Sequence, residues 1–449
     1  QIQLEYFRYS ENDMVQSDIK DTKAKSDYFQ QRLDHFNVSN QNTFKQSFHV
    51  NDEYYDEKSG IVILQVGGEG PTSIKDVGNV WSADYFAKNL SALNVELEHR
   101  YYGESIPNNN FTYLSSRQAL ADLVEFAAYL KKTYKAKKIV TYGGSYPGNM
   151  AGWARSMFPH MFDAAIASSG PLMGKVKFSE FFEMDGQVLE KYHKGCQEMT
   201  KTALEDFEQL LLKNKKKAAE YLKNDTFETE ELSQLDYSSI FSTIAEFPNM
   251  IQRMSEDGSD VKNYCQKMEE ADDKTEAYFD WLWVGKDSLY PLMYADTVEM
   301  TKTSSWTWQT CTEFGYYQDS DYFTQRISMN FYYRLCLDSF NEYFNSVGIK
   351  KISDLQQFMT EQIEEYTNAY YGARNQPRSK IFYTNGGNDP WSILSMRQDL
   401  SWKDGQHRHK QTENQMIENG NHCSDMRMSW KSNDYIRQMQ IDKLNEWLK

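Results

Sequence analysis

Short apolar runs alternate with segments of helical periodicity between residues 60 and 171. Ile61-Val62-Ile63-Leu64-Gln65-Val66 is typical of a buried strand, and the segment after Ser115 carries apolar residues at helical spacing. This alternation predicts an α/β fold built on a mostly parallel sheet. The other predicted strands are 94–98, 138–142, 164–169 and 380–385, and the predicted helices contain Ala119 to Leu130, Met150 to Ala154, and 433–448.

The pattern changes from about residue 173 to residue 376, where charged, Met-rich and aromatic segments at helical period replace the strand and glycine-turn alternation. With 449 residues the chain also exceeds the usual size of one hydrophobic core. We therefore predict a sheet domain in two parts, 1–172 and 378–449, with an inserted helical lid domain at 173–377.

A glycine-rich turn follows the predicted strand 138–142 and precedes a predicted helix. It reads Gly143-Gly144-Ser145-Tyr146-Pro147, which differs from the nucleophile-elbow pattern G-x-S-x-G by a proline at the last position. Proline is tolerated in a first helical turn, where its missing N–H costs least. The turn predicts an α/β-hydrolase core with Ser145 as nucleophile, although an ordinary Gly-rich turn would give a similar pattern.

Two further residues complete a catalytic set in the order that α/β-hydrolases use. Asp389 follows the strand 380–385, and His422 lies in a glycine-containing loop before the last helix. Serine is a weak nucleophile unless a base takes its proton, and a carboxylate must fix the tautomer of that base. We predict Ser145, Asp389 and His422 as a catalytic triad, although His422 alone is compatible with a loop histidine and Asp389 with a turn former.

The segment Gly67-Gly68-Glu69-Gly70 follows the strand at 61–66, where such hydrolases supply an oxyanion donor. A phosphate loop is the rival interpretation, but the glycines are not followed by Lys-Ser/Thr and no G-x-G-x-x-G is present. His99, at another strand end, is compatible with a site, but charged groups there more often brace loops.

The formal net charge is -16, which disfavours nucleic acid and membrane surfaces as partners, and no apolar run is long enough to span a membrane. The five cysteines show no zinc-binding spacing, so we expect neither a metal nor another cofactor. The residues alone leave fifteen disulfide arrangements open, as well as five buried thiols. A chain beginning at Gln1 is what signal-peptide removal would give, and sequons predict glycosylation at Asn37, Asn89, Asn110 and Asn224.

Several segments together resemble the post-proline serine carboxypeptidase family, with variants nearest its thymus-specific branch. The resemblance implies an α/β-hydrolase core with a helical lid, cleavage after proline or small apolar residues, and lysosomal or secreted residence. The matching segments are 31–36, 68–71, 98–105, 143–146, 167–171, 311–313 and 388–392.

The resemblance also implies roles for single residues. The N–H of Tyr146 and the Gly68 to Glu69 loop would form the oxyanion hole, and Trp391 would line the pocket for the P1 side chain. Asn149 stands where the family often has Met, which argues against a strict proline preference, and Tyr316 with Met426 would complete the pocket. The implied disulfides are Cys196–Cys265 and Cys311–Cys336, which leaves Cys423 as a buried free thiol.

These features predict a serine peptidase acting on peptide substrates, carboxypeptidase-type, with dipeptidyl peptidase and endopeptidase as alternatives within the family. An esterase on the same fold and a catalytically silent binding protein are rivals from other classes. Homodimer formation stays open.

Overall fold

The computed structural model describes residues 23–223, 231–245, 251, 254–282, 293–302, 304–319, 321–375, 379–397 and 412–449. The chain divides into two compact units. Unit 1 contains the described residues up to Gly174, Glu365–Gly387 and Trp391–Lys449, and unit 2 contains Lys175–Glu364 and Asn388–Pro390. The lid insertion was predicted for 173–377, whereas contacts assign residues 365–375 to unit 1 and return 388–390 to unit 2.

Eight strands of unit 1 form one sheet in the order β1-β2-β4-β3-β5-β6-β9-β10, and β7 pairs with β8 in unit 2. From β4 onward along that order every neighbouring pair is parallel, while β2 is antiparallel to both β1 and β4. The strands are β1 Lys25–Arg32, β2 Thr43–Asn51, β3 Ile61–Val66, β4 Leu93–Leu97, β5 Lys138–Gly144, β6 Ala164–Ser168, β7 Lys175–Lys177, β8 Gly315–Tyr317, β9 Ile381–Gly386 and β10 Thr412–Ile417.

The helices of the described residues follow in chain order: α1 Ser82–Leu90, α2 Ser116–Thr133, α3 Tyr146–Met157, α4 Glu180–Tyr192, α5 Cys196–Lys213, α6 Lys215–Leu222, α7 Gln234–Ile244, α8 Ser259–Glu270, α9 Lys274–Leu282, α10 Tyr294–Thr301, α11 Ser305–Gln309, α12 Met329–Ser339, α13 Asn341–Ser346, α14 Ile352–Met359, α15 Asn368–Tyr371 and α16 Asp434–Trp447. Two π-helical turns, Thr310–Phe314 and Thr360–Thr367, continue α11 and α14. Short 3-10 turns are Ile74–Val77, Ala373–Asn375, Pro390–Leu394, Ser424–Met426 and Lys431–Asn433.

The sheet of unit 1 is covered by apolar side chains on both faces. Successive residues of a strand point to opposite faces, so Ile166 of β6 joins one core cluster while its neighbours Ala165 and Ala167 join another. Phe86 of α1 and Leu444 of α16 complete the first cluster. Burial on both faces explains why the central strands read as continuous apolar runs.

The parallel strands place the loops that follow them at one edge of the sheet. The loops after β3, β4, β5, β6, β9 and β10 all leave from the carboxyl ends of their strands. In open α/β sheets this edge carries the ligand site. Ser145 follows β5 directly, and the loops of Asp389 and His422 follow β9 and β10.

The α/β-hydrolase prediction is confirmed at the level of fold. The predicted strands lie within two residues of the observed bounds, and the helix predicted after Ser115 begins at Ser116, where the Ser115 hydroxyl accepts a hydrogen bond from the Gln118 N–H. The region 173–376, for which helical segments were predicted, also contains one short strand pair, because Lys175–Lys177 pairs with Gly315–Tyr317.

Candidate active site

Ser145 lies in a sharp turn between β5 and α3. Its backbone has φ 62° and ψ -134°, and its N–H donates to the Ser168 carbonyl oxygen at 2.9 Å. Side chains disfavour this conformation, which is typical of a nucleophile elbow. The second glycine of the pattern comes one residue late: a Cβ on Gly148 would stand 2.6 Å from the Ser168 oxygen, so a side chain there would clash. Pro147 lies in the first turn of α3, where its missing N–H costs least.

The glycine-rich loop after β3 lies against this elbow. A Cβ on Gly68 would stand 2.6 Å from Cγ of Pro147, so the Gly68 backbone directly contacts the first turn of α3. Tyr146 is the first residue of that helix, and the N-terminal end of a helix favours negative charge. The two segments predicted to hold an oxyanion are therefore adjacent.

Glu69 of the same loop is buried, with 6% of its surface exposed. Burial raises the pKa of its carboxyl to about 7, and the charge of His422 opposes part of that rise. A carboxyl with this pKa changes its charge close to neutrality. This burial could not be predicted from the sequence, since a glutamate between glycines would ordinarily be exposed.

The loop of His422 contacts the elbow from the other side. A Cβ on Gly144 would stand 2.3 Å from Sδ of Met426 and 2.8 Å from Sγ of Cys423. The Cys423 N–H donates to the Ser169 hydroxyl at 2.9 Å. The residues that flank His422 are thus held against those that flank Ser145, and His422 itself is buried with 6% of its surface exposed.

Asp389 is fully buried and is grouped by contacts with unit 2. Its chain neighbours in unit 1 lie at the His422 loop: the Gly387 N–H donates to the Ile417 oxygen at 2.8 Å, and the Trp391 ring centroid is 6.4 Å from that of His422. Asp389 therefore belongs to a segment whose two ends are fixed beside the loop after β10.

The residues predicted for the P1 pocket have different surroundings. Trp391 and Met426 lie in unit 1 at the His422 loop and the elbow, respectively. Asn149 is fully buried, and its Nδ2 donates to the Pro171 oxygen at 2.9 Å. Tyr316 belongs to unit 2, where its ring stacks on Phe314 with centroids 5.7 Å apart.

Both disulfides implied by the resemblance are present, Cys196–Cys265 and Cys311–Cys336, and Cys423 is a buried free cysteine as expected. The sequon residues Asn37, Asn89 and Asn110 are exposed, while Asn224 lies outside the described residues. Their glycosylation stays a prediction.

Sequence reasoning placed His99 among loop-bracing groups, but the structure connects it to the elbow. Its Nε2 lies 2.9 Å from the hydroxyl of Tyr146, and its Nδ1 lies 2.7 Å from the Arg100 oxygen. Burial lowers the pKa of this histidine to about 4. The position at the carboxyl end of a strand was the one signal in the sequence.

Across the described ranges, no group of three or more His, Cys, Asp or Glu side chains could hold a metal ion. Over those same ranges, no helix is long and apolar enough to cross a membrane.

The protein has the features of a serine hydrolase of the α/β-hydrolase class. Its sheet is mostly parallel, a strained serine elbow lies at the carboxyl edge of that sheet, and a histidine loop is held against the elbow. The family model described as serine carboxypeptidase S28 matches residues 31–440, and the chain belongs to this family. It is accordingly a serine peptidase.

Two relatives show the extent of the similarity. The thymus-specific serine protease of Mus musculus is 28% identical, with 95% of this chain and 88% of that protein covered. The lysosomal Pro-X carboxypeptidase of Homo sapiens is 27% identical, with 83% and 79% covered. Among solved structures, a peroxisomal alpha-beta-hydrolase of Saccharomyces cerevisiae aligns over 95% of this chain and 90% of its own at 9% identity, with a TM-score of 0.38.

Proposed function

We propose that this serine peptidase cleaves peptides with Ser145 as nucleophile, His422 as general base and Asp389 as the orienting acid. The observation that carries the proposal is the contact between the elbow and the histidine loop, where Gly144 leaves no room for a Cβ beside Cys423 and Met426. Chain neighbours of the base are thereby held next to a neighbour of the nucleophile. The order of the three residues along the chain agrees with the α/β-hydrolase fold.

In the proposed reaction, the hydroxyl oxygen of Ser145 attacks the scissile carbonyl carbon while His422 takes the hydroxyl proton. The peptide C–N bond then breaks as His422 gives the proton to the leaving amine, and water hydrolyses the resulting acyl-enzyme. Asp389 keeps the imidazole in the required tautomer and stabilises its protonated form.

The negative charge on the former carbonyl oxygen needs donors that are already in place. We assign this role to the Tyr146 N–H and to the backbone of Gly68 and Glu69. The contact of Gly68 with Pro147 supports the assignment, because it fixes the β3 loop against the helix that begins at Tyr146. Removing one such donor typically costs about 100- to 1000-fold in kcat.

For the substrate, we propose a carboxypeptidase-type exopeptidase that prefers proline or a small apolar residue at P1. One relative is named a Pro-X carboxypeptidase. Trp391 and Met426 would provide the apolar wall of the pocket. Buried Asn149 would make this wall more polar, and the preference correspondingly less strict.

We propose lysosomal or secreted residence for the protein. The two disulfides support it, because such bonds persist in oxidising compartments. The relative named lysosomal adds support for an acidic compartment.

The test combines labelling with hydrolysis. A fluorophosphonate probe should label wild type and the control Ser346→Ala, which alters an exposed serine, and should not label Ser145→Ala. Peptides of sequence Xaa-Pro-Xaa are compared with the amino terminus blocked, with the carboxyl terminus blocked, and with both blocked. Wild type should cleave those whose carboxyl terminus is free. Asp389→Asn should lower turnover by several orders of magnitude while the circular dichroism spectrum stays unchanged.

Labelling of Ser145→Ala at the wild-type rate would refute the nucleophile. Cleavage that needs a free amino terminus, or that proceeds with both termini blocked, would instead assign a dipeptidyl peptidase or an endopeptidase. Turnover of short acyl esters without peptides would point to an esterase.

A further inference from the structure

A buried histidine outside the proposed triad is bonded to the residue that follows the nucleophile. His99, with 4% of its surface exposed, lies just after the end of β4, and Tyr146, with 1% exposed, is the first residue of α3. Their rings lie 5.5 Å apart between centroids, and Nε2 of His99 is 2.9 Å from the Tyr146 hydroxyl. Both residues belong to unit 1.

The direction of these hydrogen bonds follows from the groups involved. Nδ1 of His99 faces the Arg100 carbonyl oxygen at 2.7 Å, and a carbonyl oxygen can only accept. Nδ1 must therefore carry the hydrogen, which leaves Nε2 of a neutral imidazole as an acceptor. The hydroxyl of Tyr146 then donates to Nε2, so a neutral His99 holds the side chain of Tyr146 at one defined point.

Burial keeps His99 neutral. The pKa of the imidazole is lowered to about 4, mainly by burial and also by the Arg100 charge, while the Arg100 carbonyl and the charge of Asp122 oppose the shift. The Asp122 carboxylate accepts hydrogen bonds from Arg100 and from His35, so it belongs to a separate ion-pair network. Of the other neighbours, the Tyr102 ring packs edge-on against His99 at 5.2 Å.

We propose that His99 is a positioning residue that fixes Tyr146, and with it the backbone N–H next to Ser145, and that protonation of His99 releases this anchor. The inference rests on the proposed oxyanion role of Tyr146. The Ser145–Tyr146 peptide is fixed at one end by the bond from the Ser145 N–H to Ser168 and at the other by the Tyr146 side chain. A protonated His99 carries hydrogen on both nitrogens and cannot accept from Tyr146.

The test uses Tyr146→Phe, which keeps the ring and removes the hydroxyl, together with His99→Leu and His99→Gln. Tyr146→Phe and His99→Leu should each lower kcat by about 10- to 100-fold with KM nearly unchanged. The Tyr146 N–H is proposed to bind the oxyanion, so its displacement raises the energy of the transition state more than that of the bound substrate. Combining them should cost little more than either alone. The matched control is Tyr101→Phe. The Tyr101 hydroxyl donates to Asn108 and not to His99, so the kcat of this variant should stay within twofold of wild type.

The pH profile separates positioning from mere packing. Protonation of the general base His422 lowers kcat in acid in every variant, so the effect of His99 is a second decline on top of it. Wild-type kcat should fall more steeply as pH drops through about 4, where His99 gains its second proton. Glutamine offers an amide oxygen as acceptor and does not titrate, so His99→Gln should retain much of the activity at pH 6 and show only the shallower decline. A kcat equal to that of wild type in Tyr146→Phe, or an equally steep acid decline in His99→Gln, would overturn the proposal. Fluorophosphonate labelling carried to completion in every variant shows whether Ser145 is still an intact nucleophile.

Discussion

At the scale of single residues, the backbone of Ser145 is the strongest local indication of function. Its φ of 62° and ψ of -134° form a conformation that costs a residue with a side chain about 1–3 kcal/mol. Backbone hydrogen bonds on both sides of the residue hold this conformation. The Ser145 N–H donates to Ser168, and the backbone carbonyl oxygen of Ser145 accepts from the N–H groups of Gly148 at 2.8 Å and Asn149 at 3.1 Å. The strain is thus maintained by the surrounding β5–α3 turn, which presents the hydroxyl at the sheet edge.

Glu69 shows a second kind of cost at the same edge. Burial disfavours its charged form, so the folded protein holds the proton more tightly than the unfolded chain does. With a folded pKa of about 7 against an ordinary 4.5, its contribution to stability is fully present below pH 4.5. That contribution is lost progressively as the pH rises to about 7.

We therefore expect Glu69→Gln to flatten the pH dependence of stability. The amide never ionises, so the variant should avoid a loss of about 3 kcal/mol between pH 4.5 and 7, whatever its stability in acid. Urea unfolding at several pH values measures this, with Glu342→Gln, an exposed glutamate, as the control. Parallel curves for wild type and Glu69→Gln would show that the Glu69 carboxyl does not titrate in this range.

At the scale of elements, the sequence predicted the strands and helices whose buried positions are occupied by apolar residues. The strand Ile61–Val66 was found with its observed bounds because it is buried on both faces. Edge strands were missed: β1 Lys25–Arg32 is largely exposed, and β10 Thr412–Ile417 is polar and half-buried. Their composition resembles that of loops, because most of their side chains are exposed or half-buried and need not be apolar.

The same limit applies to the site. The triad candidates could be named because turn chemistry and chain order mark them. The contact between His99 and Tyr146 could not, because it joins residues 47 positions apart through one hydrogen bond between side chains. The grouping of Asp389 with unit 2 was equally invisible, since it depends on which surfaces pack together.

The β3 loop offers a comparison between two glycines in one element. A Cβ on Gly68 would stand 2.6 Å from Cγ of Pro147, whereas a Cβ on Gly70 would meet nothing within 4 Å. We expect Gly68→Ala to displace the loop from α3 and to lower kcat by about 10-fold or more, because the oxyanion donors would no longer converge. Gly70→Ala should keep kcat within twofold. Equal kcat values in steady-state assays of the two variants would dissociate the loop from catalysis.

At the scale of the whole molecule, the covalent cross-links are unevenly distributed. Both disulfides lie in unit 2, where Cys196–Cys265 joins the start of α5 to α8 and Cys311–Cys336 joins a π-helical turn to α12. Unit 1 depends instead on a sheet whose central strands are buried on both faces. Its one described cysteine, Cys423, is free and packs against Gly144.

This distribution predicts that reduction opens unit 2 before unit 1. The cross-links close loops of 69 and 25 residues, which should contribute roughly 3–4 kcal/mol each by restricting the unfolded chain. Hydrogen exchange after mild reduction should rise first in α5, α8 and α12 while β5 and β6 stay protected. Cys423→Ser is the control, because it removes a thiol without removing a cross-link. Simultaneous loss of protection in both units, or a non-reduced peptide linking Cys423 to another cysteine, would contradict this view, since the stability of unit 1 would then also depend on a disulfide.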